Sequence, residues 1–426
     1  MKQKSLNEKI LRITPETLIV GIDVAKRIHW VRIINYRGID LIKPFKINNT
    51  ITGIKNLEEA IKKVKEKNDM KKVIVGMEPS GHYWKAIAWQ MKLNEGVDYL
   101  VGVNPYHVKK SKELDDNSPE KSDRKDAGII ARLIRDGRYY DIYLPEGVYS
   151  ELRIMATTRD RIVTKRKNAK NIVIAVMDEY FPEYEKVYKN IFVEGSIGLL
   201  KKYPFPEDII KAGIEEIEKV LKESTQGKDW KKRAKKIYEL AKKSIGVKEG
   251  QKSAKIKLGL LLKEIEFYTT QIEEIEKEIE KLIETTEIGE NIKSVPGIGT
   301  VITATILGEI GEINRFNNWK EIRKLAGLNL YEISSGEHKG KTKITKRGRP
   351  LLRKIIYLMA KSLLKHNKEM KEKYKKLTKR EKNPLKRDQA LIAIGLKMIR
   401  IIFKLAKSKT RYEPSICMGG NAVSHH

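Results

Sequence analysis

The strand signals of this sequence stop at Pro145. Before it, apolar runs of strand length alternate with runs at helical spacing. From Thr17 the stretch LIVGIDVAK is apolar and ends in Gly, Asp and Lys, and the alternating HWVRIINYRG follows it. This predicts a strand, a turn and an antiparallel partner. Ile54, Leu57, Ile61 and Val64 recur at helical spacing, and KKVIVGMEPSG then reads as a buried strand leading into a helix from His82 to Leu93. Asp98 to Val103 repeats the strand pattern, and SDRKDAGIIARLIRDG opens on a Ser cap and continues as a helix. The alternation predicts an α/β domain over residues 1–147.

Beyond it the chain reads as helical. Residues 148–178 form a long basic helix with Arg153, Arg159, Arg161, Lys165, Arg166, Lys167 and Lys170. Leu258, Leu261, Ile265, Tyr268, Ile272, Ile275, Ile279 and Leu282 alternate three and four apart, a heptad seam that suits packing or a dimer interface. The expected organisation is a helical linker with a coiled coil over 148–288, an all-α C-terminal domain over 289–408 and a tail over 409–426. Residues 182–255 are charged and irregular and carry no assignable chemistry. A chain of 426 residues exceeds a single core, given roughly 150 residues per domain.

Charge narrows the partner. Lys and Arg number 88 against 56 Asp and Glu, a formal charge of +32. That imbalance points to a polyanion; adaptation to heat accounts for many charges but not for their bias. The single Cys417 excludes an internal disulfide, no stretch approaches the roughly 20 apolar residues of a membrane span, and the N-terminus lacks an apolar leader. A cytoplasmic, nucleoid-associated prokaryotic protein is expected, away from membranes.

Four acids carry the first candidate chemistry. Asp23 follows one apolar strand, Glu78 ends another, and Asp123 and Asp126 lie three apart on one face at the start of a helix. Acids at strand ends of an α/β sheet project where active sites collect. Phosphodiester chemistry at paired Mg²⁺ ions needs such hard oxygen donors. Taken singly, Asp23 also suits a turn, Glu78 a Lys partner and Asp123 a helix cap. Tyr83, Trp84 and Trp319 suit either base stacking or a core.

The second candidate lies C-terminally. SVPGIGTVITATILGEIG looks like a helix-hairpin-helix element whose Gly297 and Gly299 would let backbone N–H groups approach a phosphate. Further on, Lys339, Lys341, Lys343, Lys346, Arg347, Arg349 and Arg353 surround a Ser334-Ser335-Gly336 loop. A serine among such cations can attack phosphorus, although Ser-Ser-Gly by itself is an ordinary turn.

The quoted segments GIDVAK, MEPSGHYW and KSDRKDA resemble the DEDD transposases of prokaryotic insertion sequences, the "IS one-ten" group. AGLNLYEISSGEHKGKTKITKRGRPLLRKIIYLMA resembles the C-terminal domain of the same family. The likeness covers about residues 18–145 and 290–365, with one departure: GLNLYE stands where the family has a Pro after Gly-Leu. It implies a ribonuclease-H-like, RuvC-like fold for the first domain, with Asp23, Glu78, Asp123 and Asp126 holding Mg²⁺. It also implies a serine, Ser335 by position with Ser334 as its rival, that bonds transiently to DNA. The family's transposases act as homo-oligomers, dimers or tetramers, with sites shared between subunits, and a noncoding bridge RNA selects donor and target DNA. Two alternatives remain open: a Holliday-junction-resolving metal nuclease, in which the acids activate water, and a noncatalytic nucleic-acid scaffold.

Overall fold

Strand β1 (Thr17–Asp23) is apolar on both faces because helices cover both. Leu18, Val20 and Ile22 join Val73, Val75 and Met77 of β4 (Lys72–Met77) beneath Leu57 and Ile61 of α2 (Ile51–Lys67) and Ile87 and Met91 of α3 (Trp84–Leu93). On the other face, Ile19, Ile74 and Val101 meet Ile129, Ile130 and Ile134 of α5 (Asp123–Arg135). β2 (Ile28–Ile34), β3 (Phe45–Asn48), β5 (Tyr99–Val103) and β6 (Tyr139–Asp141) complete a six-stranded sheet of order β3-β2-β1-β4-β5-β6. β1, β4 and β5 run parallel, while β2 is antiparallel to β1, β3 to β2 and β6 to β5. α1 (Leu6–Ile10) precedes the sheet, and α4 (Pro105–Asp115) lies between β5 and α5.

This computed structural model describes residues 6–115, 123–226, 229–332, 334, 335, 338, 339 and 342–414. The chain divides into two units: Met1–Pro145 with Arg315–Asn317, and Glu146–Asn314 with Asn318–His426.

The second unit is built on α6 (Gly147–Tyr180) and α10 (Gln251–Glu284), each of 34 residues. They lie antiparallel, since Arg159 pairs with Glu276, Arg166 donates to Thr269, and Val173 and Met177 share a core with Leu258 and Leu262. Leu258, Leu261, Ile265, Ile272 and Ile279 of the predicted seam are buried, so the seam packs within the chain against α6. Arg159 and Arg166 of the basic helix are likewise engaged by α10.

Residues 182–255 are more ordered than their charge implied. α7 (Glu194–Lys202), α8 (Pro206–Ser224) and α9 (Trp230–Lys242) bury Leu199, Ile209, Ile217, Val220 and Ile237 against α6 and α10. Lys-rich faces and the break at Gly213 (φ +77°) obscure their periodicity.

C-terminally, α11 (Glu287–Lys293), α12 (Thr300–Ile310), α13 (Trp319–Leu325), α14 (Pro350–His366), α15 (Lys368–Lys379) and α16 (Arg387–Ser408) form the helical body. The all-α expectation is corrected in one place. Between α13 and α14, β7 (Leu330–Tyr331) pairs with β10 (Lys343–Ile344), and β8 (Ser334–Ser335) pairs with β9 (His338–Lys339). Strands of two residues are too short to show a period of two in sequence. The tail expected over 409–426 is described only to residue 414.

Candidate active site

Register brings the first two acids together. Ile22 of β1 pairs with Met77 of the parallel neighbour β4, so Asp23 and Glu78 emerge side by side from adjacent strand ends. Side chains alternate along a strand. Ile22 and Met77 point to the α2–α3 face, which leaves Asp23 and Glu78 to the face covered by α5.

α5 delivers the third acid to the same edge. A Cβ on Gly21 would lie 2.3 Å from the Ala127 carbonyl oxygen and 2.7 Å from the Ala131 nitrogen, so only glycine admits the helix at this depth. At its far end Arg135 donates to the Arg37 carbonyl (3.2 Å) in the turn after β2, whose Ile34 pairs with Ile19 near the start of β1. The helix therefore runs antiparallel to β1, and its N-terminus stands at the carboxyl edge. Asp126 is there, 8% exposed, with the Lys112 ammonium of α4 bonded to Oδ2. The Asp123 side chain falls outside the described ones.

Among the described residues no three His, Cys, Asp or Glu side chains form a finished metal cage. The donor chemistry nevertheless suits a hard cation: half-buried Asp23 and Glu78 share an edge with Asp126, whose charge already holds an ammonium. Lys112 escaped the sequence reading because nothing local separates it from Lys109 and Lys110; only the fold selects it.

Two loops frame this edge. After Glu78, the exposed His82 and Tyr83 rings stand 4.1 Å apart at their centroids, while Trp84 packs on the core. After Asp23, the β1–β2 turn is tied down by the fully buried His29, whose Nδ1 accepts from the Ala25 N–H at 3.2 Å. Burial pushes the His29 imidazole below its ordinary value, which keeps it neutral and Nδ1 an acceptor.

In the second unit, β8 and β9 place Ser335 opposite His338 and Ser334 opposite Lys339; their side chains, and all of Lys341, lie outside the description. The ribbon's base is interlocked. A Cβ on Gly348 would lie 2.4 Å from the Leu325 carbonyl oxygen, and one on Gly327 (φ +67°) 2.9 Å from the Lys346 carbonyl carbon. Two of the predicted DNA-binding cations are engaged by backbone carbonyls, one at this junction and one on α12. Arg353 donates to the carbonyls of Ala326 (2.9 Å) and Lys346 (3.3 Å), and Arg349 to that of Glu309. Lys343, Lys346 and Arg347 remain exposed. In the hairpin before α12, Gly297 takes φ +94° against α14, and Gly299 caps α12 in an open position.

Comparison with known proteins finds family matches in two stretches of the chain. Residues 20–182 match the transposase model DEDD_Tnp_IS110, and residues 289–375 match the model of the transposase IS116/IS110/IS902 family. The chain is 22% identical over 400 residues to the insertion element IS116 uncharacterized 44.8 kDa protein of Streptomyces clavuligerus, covering 93% of this chain and 96% of that protein. It is 26% identical over 204 residues to the transposase for insertion sequence element IS1111A of Coxiella burnetii, covering 47% and 55% respectively. With the IS900 uncharacterized 42 kDa protein of Mycobacterium paratuberculosis the identity is 23% over 300 residues, 69% and 73% of the two chains. The chain thus belongs to the IS110 family of transposases.

Proposed function

We propose that this transposase cuts and rejoins DNA at a site composed of the acids Asp23, Glu78, Asp123 and Asp126 and the nucleophile Ser335. The observation that carries the reading is the β1–β4 register, which sets Asp23 beside Glu78 on the face where α5 brings Asp126. The sheet order, three antiparallel strands followed by parallel β4 and β5, supports a ribonuclease-H-like first domain.

Mg²⁺ held by the four acids would supply a Lewis acid at the scissile phosphate. The Ser335 hydroxyl attacks phosphorus: an Oγ–P bond forms, the P–O3′ bond breaks, and the serine proton leaves as the 3′ oxygen gains one. A freed 3′ hydroxyl from another strand then attacks the phosphoserine and releases Ser335. Exposed Lys343, Lys346 and Arg347 at the ribbon's base meet the charge on the phosphate oxygens.

Donor and target DNA are the substrates, and a noncoding guide RNA choosing them suits the +32 charge. Acids and serine come from different subunits of a homo-oligomer. Exposed Ile256, Leu260 and Phe267 lie along one face of α10, away from the seam, and offer an apolar contact for it.

The test is single-turnover strand cleavage by the full chain with its nucleic acids. Asp23→Ala or Glu78→Gln should reduce the rate at least ~100-fold, and chelation of Mg²⁺ should do the same. Cleavage that survives both would refute the metal-dependent acid site, whereas a wild-type chain that does not cleave at all would leave the noncatalytic scaffold as the better account.

A further inference from the structure

We infer that the β1–β2 turn grips the DNA backbone beside the scissile phosphate, with Lys26 and Arg27 touching phosphate and His29 and Asn49 acting as positioning residues. This rests on the reading that the carboxyl edge of the sheet is where DNA is cut.

The turn begins directly after Asp23, and its four residues, Val24 to Arg27, lead into β2. Three hydrogen bonds fix its backbone. Ala25 N–H donates to His29 Nδ1 at 3.2 Å, Asn49 N–H donates to the Arg27 carbonyl at 2.8 Å, and Asn49 Nδ2 donates to the Lys26 carbonyl at 3.2 Å. Asn49 is itself held, since it follows β3 and precedes Thr50, whose Oγ1 accepts from Gly53 N–H to cap α2.

What the bracing holds out is a pair of cations. Lys26 and Arg27 are both exposed, and neither has an acidic partner among the described residues. Some cations of this unit are engaged by acids, as Arg32 is with Asp40 and Lys112 with Asp126, whereas Lys26 and Arg27 follow the acid edge directly and are left to solvent. Acids at a cleavage site repel the phosphate backbone that must approach them, and fixed cations at the rim offset that repulsion. A Lys and an Arg held three and four residues beyond Asp23 stand where the strand must pass. The neutral imidazole of His29 suits its part, because a protonated ring would lose the Nδ1 acceptor.

The experiment measures the salt dependence of binding to a labelled DNA duplex, and single-turnover cleavage, with the full chain. Losing two phosphate contacts should lower the slope of log K against log salt by about 1.8, at ~0.9 per contact. The double variant Lys26→Ala with Arg27→Ala is expected to show that fall and a cleavage rate reduced at least tenfold at subsaturating DNA. Tb³⁺ luminescence from the acid site should be unchanged. His29→Leu should shift the slope in the same direction, and His29→Asn, whose Oδ1 can replace the Nδ1 acceptor, should restore it. A wild-type slope in the double variant, or a slope change confined to RNA, overturns the proposal. Asp23→Ala separates the two readings, because it should stop cleavage while leaving the DNA slope intact. If Asp23→Ala still cleaves, the acid site is refuted, and the slope of the double variant still decides the grip.

Discussion

At the residue scale, the cation already at the acid site makes a sharp prediction. Lys112 holds Asp126, and any metal using that carboxylate must compete with its ammonium. A partly exposed pair of this kind is worth up to ~1 kcal/mol. Lys112→Met should therefore lower the Mg²⁺ concentration for half-maximal cleavage by about two- to fivefold, read from a magnesium titration. An unchanged or raised midpoint would mean that Lys112 helps the site rather than occupies it. Asp23 and Glu78 stood out in the sequence because each follows a strongly patterned apolar run, and Asp126 because it stands three residues after Asp123 at the start of a helical run. Lys112 was not, because it enters only through packing of α4 on α5. Arg349 and Arg353 stood out as cations, yet only the fold reveals that Arg353 secures the ribbon's base and that Arg349 ties the start of α14 to α12.

At the element scale, the seating of α5 on β1 couples stability to chemistry. Gly21→Val would drive two methyl groups into the Ala127–Ala131 backbone. Overpacking of this kind costs about 1–3 kcal/mol. The variant should melt several degrees lower, and the displaced N-terminus of α5 should lower cleavage beyond what the melting shift explains. Full activity with a lowered melting point would show that Asp126 does not need this seating. The strand–helix order of the first unit was legible from periods of 2 and 3.6. The ribbons bearing Ser334 and Ser335 were not, and neither were α7–α9, where Lys-rich faces and a glycine break hide amphipathic helices.

At the scale of the whole molecule, the buried histidine ties folding to pH. The folded pKa of His29 lies below the ordinary value of about 6.5, so the unfolded chain binds its proton more readily. The sign follows: His29 contributes stability that is present above about pH 6.5 and is lost as pH falls through its lower folded value. Wild-type protein should therefore melt at progressively lower temperature in that acid window, and His29→Asn should flatten this part of the profile. An identical acid slope in the variant would assign the effect to other groups. The seam on α10 shows the limit of sequence at this scale. Its heptads predicted a partner helix, and only the fold identifies that partner as α6 of the same chain rather than a second copy.

The central claim is that the acid edge acts through a serine supplied by the other domain. The direct measurement is the denaturant-resistant protein–DNA adduct formed on labelled element-end DNA in Mg²⁺. Wild-type protein should form it, Ser335→Ala and Asp23→Ala should each fail, and a mixture of the two variants should regain it, as the proposed sharing of acids and serine between subunits requires. A full-strength adduct from Ser335→Ala would contradict the account.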